Sequence, residues 1–352
     1  MRKGAKIALG IVGGIIAAAG IVMAVNHEAT RVVFHNVFAG SEKLDDSKEW
    51  SGGTSYEKLQ YSDVSENDYM HLYVPDTQEK PPLIVMVHGG GFVFNDLESR
   101  QAQFMYRYFR DHGYACATIN YRLAQEAKFP AALEDVKCAV RFLRANADQY
   151  GYDADHLAIW GESAGGYLAV MAGVTNDEEF NSLPFIGEEE LEEPVSARVS
   201  TILNFYGCME LESREDRHAE YKRLGIPEIV CTISEQWLAT VVKDFDEFDT
   251  VEDYWIGKNL GTMSEEEKQV FSPYYYVEKN LTPEDPVDML IIHGDADLSV
   301  PYTQSERIRD AFAAAQGEGH VDMRLFHNEK HADDNLYSDD NLASVVEYLQ
   351  KD

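Results

Sequence analysis

Residues 161–165, Gly-Glu-Ser-Ala-Gly, set one serine between glycines two positions before it and two after it. A serine hydroxyl becomes a nucleophile when a neighbouring base takes its proton. In the pattern G-x-S-x-G the hydroxyl of Ser163 is carried at the tip of a sharp strand-to-helix turn. The flanking glycines have no Cβ, so strand and helix can close on each other, and the helix N-terminus beneath the serine favours negative charge there. Upstream, His88-Gly89-Gly90-Gly91 is a run whose bare backbone N–H groups can converge on one oxygen. Gly90 and Gly91, together with Ala164 just after the serine, are the candidate donors to a developing oxyanion. The run lacks both the G-K-[ST] ending and the G-x-G-x-x-G spacing of phosphate-binding loops.

An acid and a base must complete the relay, in the chain order serine, acid, histidine. The stretch IIHGDADLSVP (291–301) offers Asp295 and Asp297, and LFHNEKHADD (325–334) offers His327 and His331. Both stretches close expected strands at their C-terminal ends, where open α/β sheets keep their sites. His331 is the preferred base, because His327 still reads as strand and its ring is less free. Asp297 is the preferred acid, since Asp295 directly follows Gly294 and serves the turn.

These residues need a frame. Short apolar β-type runs recur at 69–75, 82–89, 114–121, 156–161, 199–207, 288–294 and 321–327, and residues 131–150 carry apolar positions at helical spacing. Continuous apolar strands separated by helices predict an α/β fold with a mostly parallel sheet covered on both faces. Between the strands at 199–207 and 288–294 lies an aromatic and charged insertion, about 208–272, which reads as a helical cap over the serine. Its aromatic cluster reads as core packing before substrate lining. The core domain spans 56–352, preceded by a polar linker, 27–55, in which SGGTS (51–55) reads as a flexible hinge.

The stretches HGGGFVFND, INYRLAQEAKFPAALEDV, GESAGGYLA and HGDADLSVP, followed by His331, together resemble α/β-hydrolases of the hormone-sensitive-lipase-like and bacterial feruloyl-esterase-like carboxylesterase group. The resemblance covers about residues 55–352. It implies the α/β-hydrolase fold, with Ser163 as nucleophile, His331 as base, Asp297 as orienting acid, and Gly90, Gly91 and Ala164 as oxyanion donors. It also implies an ester hydrolase for short-chain or aromatic acyl groups, including esters of carbohydrates, that needs no metal or organic cofactor. Gln125 stands where relatives carry proline, and Glu162 where many carry aspartate; both departures leave the chemistry intact. A serine peptidase on the same fold and a binding module without activity are the alternatives, and a complete Ser163, Asp297, His331 set argues for catalysis.

Composition narrows the partners. The formal charge is −32, from 62 Asp plus Glu against 30 Lys plus Arg. Such a balance disfavours nucleic acid and anionic lipid surfaces and suits neutral or cationic ligands. Four cysteines, Cys116, Cys138, Cys208 and Cys231, are too few and too scattered for a disulfide scaffold or a zinc site. Outside the cytoplasm a bridge becomes allowed, and Cys208 with Cys231 is the favoured pair because both fall in the insertion.

The chain begins with Arg2, Lys3 and Lys6 ahead of an uncharged apolar run from Ile7 to Val25. As a helix this run extends about 28 Å, enough to span a bilayer core. An uncleaved anchor over residues 1–26 is favoured over a cleaved signal, whose apolar region is usually shorter. The basic end then faces the cytoplasm and the rest of the chain lies outside it. The full chain is expected to fractionate with membranes, whereas a chain starting near Gly53 is expected to be soluble and active. A natural product whose sequence begins at Val25 would instead establish a cleaved signal.

Overall fold

The computed structural model describes residues 50–211, 214–223, 242 and 244–351. The expected anchor, most of the linker, and Cys231 with its neighbours at 224–241 lie outside the described residues. Among the described residues no helix is long and apolar enough to cross a membrane.

Eight strands form one sheet in the order β1-β2-β4-β3-β5-β6-β7-β8. They are β1 (Gly53–Gln60), β2 (Tyr69–Pro75), β3 (Pro82–Val87), β4 (Ala115–Ile119), β5 (Asp153–Glu162), β6 (Thr201–Phe205), β7 (Asp288–Gly294) and β8 (Val321–Phe326). From β4 to β8 every pairing is parallel, while β2 runs antiparallel to both β4 and β1. The continuous apolar sequence of β3 explains the layers. Leu83, Val85 and Val87 pack in one core with the helices Ala131–Ala145, Ala164–Val174 and Tyr302–Gln316. Ile84 and Met86 point the other way, into a second core with the helices Arg100–Asp111 and Asp339–Leu349. Each such side chain, fully buried, contributes about 1.5–3 kcal/mol of transfer free energy.

The strands read from the sequence are all present. The sheet starts earlier than expected, however, because β1 begins at Gly53 inside the stretch read as a hinge. Its glycines serve close approach: a Cβ on Gly53 would stand 2.1 Å from the Val74 carbonyl oxygen and 2.8 Å from the Trp50 ring. Trp50 itself is held by Arg110, whose guanidinium lies 4.9 Å from its ring centre and also over Tyr73 and Tyr106.

Between β6 and β7 the described part of the insertion is a set of short helices, Arg214–Arg223, Val251–Ile256 and Glu265–Lys268 among them. The helix Val251–Ile256 is fixed at both ends, by a capping box of Thr250 with Asp253 and by Gly257 in the left-handed conformation. It docks through Trp255, which stacks on Phe92 with centroids 3.9 Å apart. Just past β4, Arg122 grips Asp135, buried on the helix Ala131–Ala145, through Nε and Nη2, the closest contact being 2.6 Å.

At the end of β5 the chain turns directly into the helix Ala164–Val174. A Cβ on Gly161 would lie 2.1 Å from the Gly165 carbonyl oxygen, and one on Gly165 would lie 2.2 Å from that of Val87. Neither neighbour is a flexible side chain that could yield. Gly161→Ala and Gly165→Ala are each expected to destabilise the fold by about 3 kcal/mol or more, read as a lowered denaturation midpoint.

Candidate active site

Ser163 occupies φ 54° and ψ −120°, a backbone conformation that L-residues other than glycine rarely hold. Three backbone hydrogen bonds keep it there. Its N–H donates to Phe205 at 3.0 Å, and its carbonyl accepts from Tyr167 at 3.1 Å and from Cys208 at 3.4 Å. The turn lifts the Ser163 side chain above the C-terminal end of the sheet, half-buried.

His331 follows β8 in a loop, and its Nε2 lies 3.0 Å from the Ser163 hydroxyl oxygen. Its Nδ1 lies 2.7 Å from Asp297 Oδ2. An ionised carboxylate only accepts, so the ring proton resides on Nδ1 and Nε2 is left to accept from the serine. Asp297, fully buried after β7, is itself pinned: its Oδ1 accepts the N–H groups of Ser299 at 2.8 Å and Val300 at 2.9 Å. Its Oδ2 also accepts from His293 Nε2 at 3.2 Å, which shares its proton with the Val300 carbonyl at 2.9 Å. His293 Nδ1 meets the Ser305 hydroxyl at 2.7 Å, which fixes that ring in turn.

The electrostatics follow from these contacts. Burial pushes the Asp297 carboxyl up, but the facing charge of His331 and the bonds from His293 and His331 carry it well below the usual carboxylate range. Burial pulls the His331 imidazole down, yet the Asp297 charge and hydrogen bond, with a further contribution from Glu162, leave its pKa above the ordinary value. Such a group is a stronger base than a free imidazole while remaining able to release its proton.

The other two candidates of the same types lie apart. His327 pairs with Asp295 at 2.7 Å on the exposed rim, and Asp295 Oδ1 accepts the Asn328 N–H at 2.7 Å, as a turn residue does.

Gly90 and Gly91 take φ of 109° and 57°, and Phe92 after them takes 64°. A Cβ at Gly90 would stand 2.1 Å from the Phe94 carbonyl oxygen. The N–H of Gly89 donates to Glu162 Oε1 at 2.8 Å, whereas those of Gly90, Gly91 and Ala164 have no acceptor among the described residues. Ala164 is the first residue of its helix, so its N–H has no carbonyl one turn earlier to meet. Parallel pairing of Val87 with Gly161 brings this loop beside the serine turn.

Sequence reasoning missed three contributors. His293 is hidden inside an apolar strand, Tyr206 lies just past β6 with φ 39°, and Glu162 reads in the sequence as a variation without consequence. The signal available for His293 was its position four residues before Asp297. Among the described residues no cluster of His, Cys, Asp or Glu is disposed to hold a metal ion. Cys208 is half-buried and unbridged among the described residues, and its expected partner Cys231 lies outside them.

A model of the BD-FAE family matches residues 70–312. The chain belongs to the BD-FAE family. Among curated proteins it is similar to the esterase LipC of Mycobacterium tuberculosis, 28% identical over 240 residues that cover 66% of this chain and 50% of that one. The chain thus spans about half the length of the curated relatives it matches first. Among solved structures it is similar to a truncated carbohydrate esterase from gut microbiota, with a TM-score of 0.66 and 21% identity over 88% of this chain and 99% of that one. A propionate-bound esterase of Thermogutta terrifontis gives a TM-score of 0.57 at 20% identity, over 87% and 96%. These structural likenesses show the fold of the family member, an α/β-hydrolase.

Because Asp297 is what raises the His331 pKa, the sign of its removal is fixed. In an NMR titration His331 is expected to protonate above the ordinary imidazole value of about 6.5, and Asp297→Asn is expected to move that midpoint downward. A midpoint unchanged by the substitution would mean that the two side chains are uncoupled in solution.

Proposed function

We propose that this chain is a serine carboxylesterase. The observation that carries the reading is the continuous line from the Ser163 hydroxyl through His331 to buried Asp297, at 3.0 and 2.7 Å. Membership of the BD-FAE family supports the same chemistry.

In this reading, His331 Nε2 takes the Ser163 proton as Oγ attacks the ester carbonyl carbon. The carbonyl oxygen becomes an oxyanion facing the N–H groups of Gly90, Gly91 and Ala164, where one good donor is worth about 10²–10³ in rate. Asp297 keeps the ring in register and balances the imidazolium. Collapse of the intermediate expels the alcohol, which leaves with the proton from His331, and the acyl group stays on Ser163. Water then attacks the acyl-enzyme, giving its proton to His331, and a second collapse frees the acid and restores the serine hydroxyl. Activity falls as pH drops through the His331 pKa, because the imidazolium cannot accept a proton.

The substrates proposed are esters of short or aromatic acyl groups on small neutral alcohols, carbohydrates among them. The net charge of −32 disfavours approach to anionic interfaces. The carbohydrate esterase and the propionate-bound esterase with which this chain shares its fold point the same way by analogy.

The proposed location is outside the cytoplasm, held by the N-terminal segment. Gly53 pairs with Pro75, and Tyr73 with Cys116 near the start of β4, so the chain enters at the end of the sheet remote from Ser163. An attachment there leaves the serine free to meet soluble substrate.

On a panel of p-nitrophenyl esters, rates are expected to peak at about two to six acyl carbons and to fall steeply beyond about ten. Ser163→Ala is expected to lower kcat/KM by at least about 10⁴-fold. A palmitate rate equal to that for butyrate would overturn the substrate reading, and cleavage of an aminopeptide anilide in preference to esters would favour the peptidase.

A further inference from the structure

Glu162 ends β5 directly before Ser163, fully buried, with no lysine or arginine paired to it among the described residues. A carboxylate in that position is expensive unless donors satisfy it. Two do, and they come from different parts of the fold. Oε1 accepts the Gly89 N–H at 2.8 Å. Oε2 accepts the Tyr206 hydroxyl at 3.2 Å, and the Tyr206 and Tyr337 hydroxyls bond to each other. The Tyr206 ring then stands edge-on to His331, with centroids 4.8 Å apart and planes at 64°.

One side chain therefore joins the strand that carries the serine, the loop that carries Gly90 and Gly91, and the wall on which His331 rests. Gly89 is shaped to it: a Cβ there would lie 2.7 Å from both the carbonyl oxygen and Oε1 of Glu162. With the Gly89 amide pinned and Gly90 at φ 109°, the direction of the next two N–H groups is set by where Glu162 holds the loop.

We propose that Glu162 is a positioning residue of ester hydrolysis, aiming the Gly90 and Gly91 amides through Gly89 and seating His331 through Tyr206. The inference rests on the roles given above to Ser163 and His331. Glu162 also faces the imidazole as a second negative charge. The other groups around His331 are Asp297 at Nδ1 with His293 behind it, the Ser163 hydroxyl at Nε2, the Tyr206 ring with Tyr337 beyond it, and Glu329, Lys330 and Asp333 on its own loop. The Glu162 charge raises the His331 pKa, and the His331 charge lowers that of Glu162, which burial otherwise raises.

Glutamine separates the two contributions. Its carbonyl oxygen still accepts from Gly89 and its amide group still reaches Tyr206, but the charge is gone. Aspartate keeps the charge and, one methylene shorter, cannot span both partners from the same backbone. Alanine loses both.

The test compares the full chain with E162Q, E162D and E162A. It reads melting temperature, kcat and KM on p-nitrophenyl butyrate, the pH profile of kcat/KM, and the rate of phosphonate attachment to Ser163. E162Q is expected to melt at or above the parent temperature, to keep kcat within about 10-fold, and to move the acid limb of kcat/KM to lower pH. E162A, or E162D where the alanine variant does not fold, is expected to lose about 10²-fold in kcat with KM within about 3-fold, and to be phosphonylated correspondingly slowly. The proposal is overturned if the folded alanine or aspartate variant keeps the parent kcat, if glutamine rescues no better than alanine, or if its acid limb stays in place. A parent chain that is not phosphonylated at Ser163 would instead overturn the reading of the serine, and this inference with it.

Discussion

The top of this molecule is organised by a steric constraint. A strand and a helix meet at Ser163 at a distance that no side chain on Gly161 or Gly165 would allow. The turn forces Ser163 to φ 54°, and strain of this kind persists only where the surroundings over-determine it. Here they do: β6 supplies the acceptor for the serine N–H, and the residues after β6 supply a donor to its carbonyl. The hydroxyl is thereby presented on rigid elements, with the loops around it left to supply the partners.

Around the serine, two buried carboxyl groups are held by donors that offset the cost of burial. Asp297 stays charged while fully buried because two backbone N–H groups, His293 and His331 all donate to it. Glu162 is handled similarly on the far side, by Gly89 and Tyr206. The insertion adds a packing constraint, since Trp255 on the helix Val251–Ile256 stacks against Phe92, whose positive φ closes the glycine loop, and Val251 faces Gly91 at 3.6 Å from where a Cβ would stand.

Much of this arrangement was legible in the sequence because local rules decide it. A glycine two residues either side of a serine, a glycine run after an apolar strand, and an aspartate three residues past a strand-ending glycine each carry their geometry with them. His331 is set apart from His327 in the sequence by the expectation that His327 still belongs to the strand; β8 instead ends at Phe326, and His327 pairs with Asp295 on the exposed rim. What could not be read depends on non-local packing. The start of β1 reads as a hinge over 51–55 because Gly53 is needed for an approach to Val74 and Trp50 that only the folded sheet creates. His293 sits among apolar strand residues, and its link to Asp297 exists only once the chain past β7 folds back over it. Glu162 looked interchangeable with aspartate because nothing in the linear sequence places Gly89 and Tyr206 at its two oxygens.

The most direct test of the account is a crystal structure of the chain after reaction with an alkyl phosphonate, whose tetrahedral phosphorus imitates the intermediate. Phosphorus is expected on Ser163 Oγ, with the phosphoryl oxygen within about 2.7–3.1 Å of the N–H groups of Gly90, Gly91 and Ala164. Attachment at any other residue, or a phosphoryl oxygen turned away from those amides, would contradict it.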